Sequence, residues 1–156
     1  MNQSQTNPES QIQKINLFKS LFRGRDDCYG EGKGLCVKEP ITDAVIKEHL
    51  SGVKRIGVYM LAGEGKDELY FAVMDFDNDE KEQNSTSRLG DAEEYYNSCQ
   101  SYGLNAYIEA SKTAGCYHVW HFFSEPASAL KIRRLMMQII SDTNIQRYEI
   151  FPKQDK

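Results

Sequence analysis

The chain has 156 residues, which suits one domain. Apolar residues make up 40% and charged residues 27%, and no run of about 18 apolar residues occurs, so the pattern is that of a globular protein without a membrane span. A net charge of −4 argues against bulk coating of nucleic acid and leaves only local basic patches for such contacts.

Met1 to Pro8 is polar and lacks the apolar stretch of a secretory signal, and residues 1–14 are expected to form a disordered lead-in. Ile15 to Phe22 spaces its apolar residues as a helix does, and Arg23 to Asp27 forms a charged turn. Cys28 to Gly34 holds three glycines and reads as a loop. Thr42 caps a helix over Asp43 to Leu50, which Gly52 ends. Arg55 to Leu61 reads as a strand, Gly63-Glu64-Gly65 as a turn, and Glu68 to Asp75 as a second strand. After a polar loop over Asn78 to Ser85, Thr86 or Ser87 caps a helix carrying Leu89, Ala92, Tyr95, Tyr96 and Cys99. Asn105 to Glu109 is a short strand, Ser111 to Gly115 a small-residue loop, and Tyr117 to Phe123 a strongly apolar strand. Pro126 opens a helix that runs through Ile140, and Arg147 to Phe151 is the last strand, ended by Pro152. Cys28, Cys36, Cys99 and Cys116 fit neither a disulfide framework nor a zinc pattern and read as reduced thiols of a cytoplasmic protein.

From Glu68 onward the order is strand, helix, strand, strand, helix, strand. The expected fold class is α+β: an RNA-recognition-motif-like (ferredoxin-like βαββαβ) sheet with an N-terminal α/β extension. Residues 15–156 form one domain in this reading, with subregions 15–62 and 63–156. In such a sheet the first and third strands are central, adjacent and antiparallel, and the last strand flanks the first. Three places then converge at one rim: Asp75 and Asp77, the start of the strand at Tyr117-His118, and the start of the last strand at Tyr148-Glu149.

Asp75 and Asp77 lie at i, i+2 at the end of an apolar strand, so alternation turns both to one face. Two like charges side by side repel, and a divalent cation offsets that cost. Carboxylate oxygens suit Mg²⁺ or Mn²⁺ better than zinc, and Glu149 offers a third carboxylate. The competing reading of Asp75 to Glu80 is a solvated acidic turn; an EF-hand loop is excluded because Glu80 stands where Gly is needed and Thr86 where Glu is needed. The loop from Ser111 to Gly115 offers hydroxyls, Lys112 and backbone N–H groups to phosphates, and His118 stands where that loop becomes a strand. His118 and His121, at i, i+3, face opposite sides of a strand and make a poor metal pair. Lys131, Arg133, Arg134 and Lys153 could track a nucleic-acid backbone, although a solvated helix face is the plainer reading of each. Phe18, Phe22, Tyr95 and Tyr96 read as core rather than base-stacking platforms.

Three segments in order make the chain resemble the archaeo-eukaryotic primase (primase-polymerase) superfamily, in the branch found in bacterial conflict systems and CRISPR-associated primase-polymerases. They are Val73-Met74-Asp75-Phe76-Asp77, Glu109-Ala110-Ser111 through His118-Val119-Trp120, and Tyr148-Glu149 through Asp155. Leu17 to Arg25 and Ile41 to Gly52 also resemble that branch, and the likeness runs from Ile15 to Asp155. The resemblance implies metal-dependent nucleotidyl transfer: template-directed synthesis of DNA or RNA primers or strands from (d)NTPs, on single-stranded or primer-template nucleic acid. It implies Mg²⁺ or Mn²⁺ held by Asp75, Asp77 and Glu149, with Asp155 as the fallback for Glu149. It places His118, Ser111 and Lys112 at the triphosphate, and it suggests a helicase or a CRISPR or conflict-system partner. Many relatives carry Gly-Lys-Gly where this chain has Ala114-Gly115-Cys116, and many continue past the position where this chain stops, which leaves a fragment, a minimal catalytic domain or a partner-dependent subunit as options. Two other readings stand beside it: a non-catalytic nucleotide or single-strand binding module on the same sheet, and a nicking enzyme of relaxase type, whose paired histidines this chain lacks.

Overall fold

In the computed structural model, which describes residues 8–32, 34–62, 67–78 and 87–155, the chain forms α1 (Pro8–Leu21), β1 (Tyr29–Glu31), β2 (Leu35–Val37), α2 (Asp43–Leu50), β3 (Ile56–Gly57), β4 (Glu68–Phe76), α3 (Leu89–Ser101), β5 (Tyr107–Ala110), β6 (Tyr117–Ser128), α4 (Ala129–Ser141) and β7 (Glu149–Phe151). Among the described residues these make a mixed α/β structure with two antiparallel sheets and four helices. The smaller sheet has the order β2-β1-β3, and the larger one β5-β6-β4-β7.

β4 is apolar on both faces because both faces are covered. Ala72, Met74 and Phe76 point into the main core with Val119 of β6, Ile150 of β7, Ala92, Tyr95 and Cys99 of α3, and Met136, Ile139 and Ile140 of α4. Alternation sends Phe71 to the other face, where Phe22, just past α1, packs edge-on against it and against Trp120 and Phe122. Arg23 secures this join: its guanidinium donates to the carbonyls of Phe123 (2.9 Å) and Ser124 (3.0 Å) and lies over the Tyr70 ring. The chain then turns at Gly24, where an added Cβ would lie 2.2 Å from the Tyr59 carbonyl oxygen, so only glycine lets these segments approach.

The expected neighbours of β4 are present. β6 pairs antiparallel on one side with Asp75 opposite His118, and β7 on the other with Asp75 opposite Glu149. Several local expectations are corrected. The helix begins at Pro8, seven residues before Ile15, so residues 8–14 are helical rather than a lead-in; residues 1–7 lie outside the described set. The Cys28 to Gly34 segment is not all loop: it contains β1, which pairs antiparallel with β2 just beyond it, and the predicted strand over Arg55 to Leu61 shrinks to β3, which also pairs with β1. Pro126 does not open a helix. It sits in β6 where the register against β4 shifts between Leu69 and Phe71, an irregular stretch that tolerates a residue without an N–H, and α4 starts at Ala129. Thr86 lies outside the described residues, while Ser87 Oγ accepts from the Leu89 amide at the start of α3.

The main core contains one buried histidine. His121 Nδ1 lies 2.8 Å from the Asn105 carbonyl, which only accepts, so Nδ1 carries the proton and Nε2 accepts from the Tyr95 hydroxyl at 3.1 Å. Burial pushes its pKa below the ordinary value, and the neutral ring satisfies both partners.

Candidate metal and nucleotide site

The antiparallel register brings the rim together. Asp75 is flanked by His118 on β6 and Glu149 on β7, and Asp77 follows the end of the strand. The Asp75 side chain keeps only 16% of its surface exposed, and its Oδ1 is buried without a hydrogen-bond partner. Its pKa is raised from 3.8 to about 6, first by burial, then by the charges of Asp77 and Glu149, against the opposing pull of His118 and Lys153. A mostly buried carboxylate that feels the charges of two other acids, with an orphaned oxygen, is a donor suited to a hard divalent cation.

The other expected residues divide into those that reach this rim and those held elsewhere. His118 Nε2 lies 3.6 Å from Asp75 Oδ1, longer than a hydrogen bond. Glu149 reaches the rim but its carboxylate is paired with Lys153 at 2.9 Å. Asp155 is drawn away to Arg133 of α4 at 2.8 Å. That same pairing, with a bond from Arg133 to the Pro152 carbonyl, takes Arg133 out of the set of free basic residues. Among the described residues no three acidic, histidine or cysteine side chains are gathered for a metal ion.

The loop from Ser111 to Cys116 is tightly built. Ser111 N–H donates to the Cys116 carbonyl (2.9 Å), Cys116 N–H to the Thr113 carbonyl (3.1 Å), and Gly115 takes a φ of 80° that favours glycine. The loop is clipped to the segment just past β4, because Asn78 donates its backbone N–H to Cys116 Sγ (3.4 Å). Ser111 Oγ accepts from the Thr113 amide, so it serves the loop itself. Lys112 is exposed and makes no ion pair among the described residues.

One residue at this rim received no role from the sequence. Glu109, opposite His118 on β5, accepts through one oxygen from both His118 Nδ1 (3.1 Å) and Trp120 Nε1 (2.6 Å). The signal was present: His118 and Trp120 at i, i+2 must share a face, and an acidic residue in the preceding hairpin strand stands across from them.

All four cysteines are free, and no helix among the described residues is long and apolar enough to cross a membrane. No curated protein matches the chain. Comparison with protein families matches residues 37–156 to the archaeo-eukaryotic primase domain of TOTE conflict systems. That match covers both strands of the Asp75–His118 pair, β7 and the loop between them, and the chain belongs to this family.

Proposed function

We propose that the chain carries out metal-dependent nucleotidyl transfer, extending or initiating a DNA or RNA strand from (d)NTPs on a nucleic-acid template. The observation that carries this reading is Asp75: a mostly buried carboxylate with an unpartnered oxygen, set between His118 and Glu149 in a chain of this family. The strand order β5-β6-β4-β7, with α3 and α4 on one face, supports reading the sheet as RNA-recognition-motif-like and its other face as the working surface. Asp75 and Asp77 would hold Mg²⁺ or Mn²⁺, with Glu149 joining once it leaves Lys153. Bound there, the ion would lower the pKa of the attacking 3′-hydroxyl and neutralise charge at the α-phosphate. His118 would contact the triphosphate, with Lys112 close in sequence to add a second positive charge. The test is primer extension and de novo priming with Mn²⁺, comparing wild type with the double variant Asp75→Ala/Asp77→Ala. Equal synthesis by both sinks the proposal.

The second reading is a binding module without chemistry. It is favoured by the Glu149–Lys153 pair, which withholds the third carboxylate. Nucleotide binding that persists while no metal-dependent product forms would decide for it.

A further inference from the structure

Glu109 is more than half exposed, with 55% of its side chain open to solvent. A solvated glutamate ordinarily samples many rotamers, yet here a single oxygen takes two donors from one neighbouring strand. One donor is itself immobile. The Trp120 indole is stacked on Phe122 (6.2 Å between centroids, 10° between planes) and meets Phe22 edge-on at 5.3 Å, so its N–H direction is set by packing. The indole therefore fixes the carboxylate, and the carboxylate fixes the imidazole. A carboxylate only accepts, so the Glu109 contact requires a proton on His118 Nδ1 and turns Nε2 toward the Asp75 rim, from where the ring carrying protons on both nitrogens donates Nε2–H to a phosphate oxygen. Without that contact the imidazole torsion is broad and nearly two-fold, and either nitrogen could face the rim.

We infer that Glu109 is a positioning residue, anchored by Trp120, that holds His118 with Nε2 presented to the triphosphate of a bound nucleotide. The inference rests on the proposed function only in taking that ligand to be a nucleoside triphosphate. Its chemistry is geometric, so an uncharged acceptor of the same length should serve.

The experiment compares wild type, Glu109→Ala and Glu109→Gln, each with a thermal melt to verify folding. Calorimetric titration with dATP and Mn²⁺ gives affinity; primer extension gives KM and kcat separately. The Trp120 indole N–H resonance, from the only tryptophan in the chain, reports the anchor. Glu109→Ala is expected to weaken dATP binding and raise KM about tenfold, with kcat within about twofold, and to shift the indole resonance. Glu109→Gln keeps an acceptor oxygen and is expected to stay within about threefold of wild type. A Gln variant as impaired as the Ala variant, an Ala variant with unchanged affinity, or an unmoved indole resonance each overturns the inference. Wild type that binds dATP but synthesises nothing removes the catalytic reading and leaves the positioning test intact. Wild type that binds no dATP overturns both.

Discussion

The charge arrangement at the rim predicts that Asp75→Asn stabilises the metal-free protein while abolishing synthesis. At pH 7.5 the Asp75 carboxylate is ionised in a site that raises its pKa from 3.8 to about 6. That difference corresponds to at most about 3 kcal/mol of unfavourable free energy in the folded state, because each unit is worth about 1.4 kcal/mol. Local relaxation and water reduce it, so about 1.5 kcal/mol is the working figure, or a rise of about 3–6 °C in Tm for a chain of this length. The folded state holds this proton more tightly than the unfolded chain. Wild type in chelator therefore loses stability as pH rises from about 4 to about 6, and the variant lacks that loss. Asparagine keeps the shape without the charge. The assay is urea or thermal unfolding in EDTA, repeated with Mn²⁺. Saturating Mn²⁺ should raise the wild-type Tm and leave Asp75→Asn nearly unmoved, since an ion that binds only the folded state stabilises by mass action. A variant less stable than wild type in EDTA, or equal stabilisation of both by Mn²⁺, refutes the reasoning.

Glu149→Ala should cut primer extension at least about a hundredfold, while Asp155→Ala should leave it near wild type and lower stability by about 1–3 kcal/mol, because it removes the carboxylate partner of a mostly buried Arg133; the reverse result for synthesis would assign Asp155 to the metal. Gly24→Ala should destabilise by about 1–3 kcal/mol in urea unfolding, because the new Cβ meets the Tyr59 backbone oxygen at 2.2 Å and neither side can yield cheaply. Phe22→Ala should loosen α1 from the sheet, lowering stability by about 2 kcal/mol and red-shifting the Trp120 emission; an unchanged spectrum would contradict the packing described. His121→Gln should change the pH profile of stability. The wild-type ring has a lowered pKa, so its contribution is full above about 6.5 and is lost as pH falls, because the unfolded chain takes the proton more readily. Glutamine can serve both Tyr95 and Asn105 without titrating, so the wild-type advantage should shrink between pH 7 and pH 5.

The large sheet was legible because its strands obey two simple periods. The apolar run of β4, the small-residue loop before β6 and the helix patterns of α3 and α4 located themselves, and the order of elements then placed Asp75 between His118 and Glu149. The small sheet was not legible. β1, β2 and β3 are three, three and two residues long, too short to display alternation, and their glycines read as loop when Gly30 in fact lies in β1, opposite Cys36. Pro126 misled for a related reason: it marks a helix start in most contexts, and only the register shift against β4 makes room for it inside a strand.

The site itself shows what pattern alone conveys and what it omits. Spacing marked Asp75 as a carboxylate whose repulsion by Asp77 a cation would offset, and the folded rim shows the cost to be offset: the side chain is mostly buried, one oxygen has no donor, and two other acids bear on it. Spacing could not show that Glu149 and Asp155, both acidic and both late in the chain, have different partners, because that depends on where Lys153 and Arg133 reach. The difference matters chemically. Lys153 is itself exposed and its pair with Glu149 is worth little in water, so under the proposed function Glu149 would exchange a lysine for a metal ion at small cost. Arg133, mostly buried and anchored by a second bond to the Pro152 carbonyl, holds Asp155 through its Nε, so recruiting Asp155 would take the carboxylate from a mostly buried arginine. Under the proposed function, then, the acid paired across the strands with Asp75 would also be more easily released to a cation than Asp155, and the Glu149/Asp155 comparison tests that ordering directly.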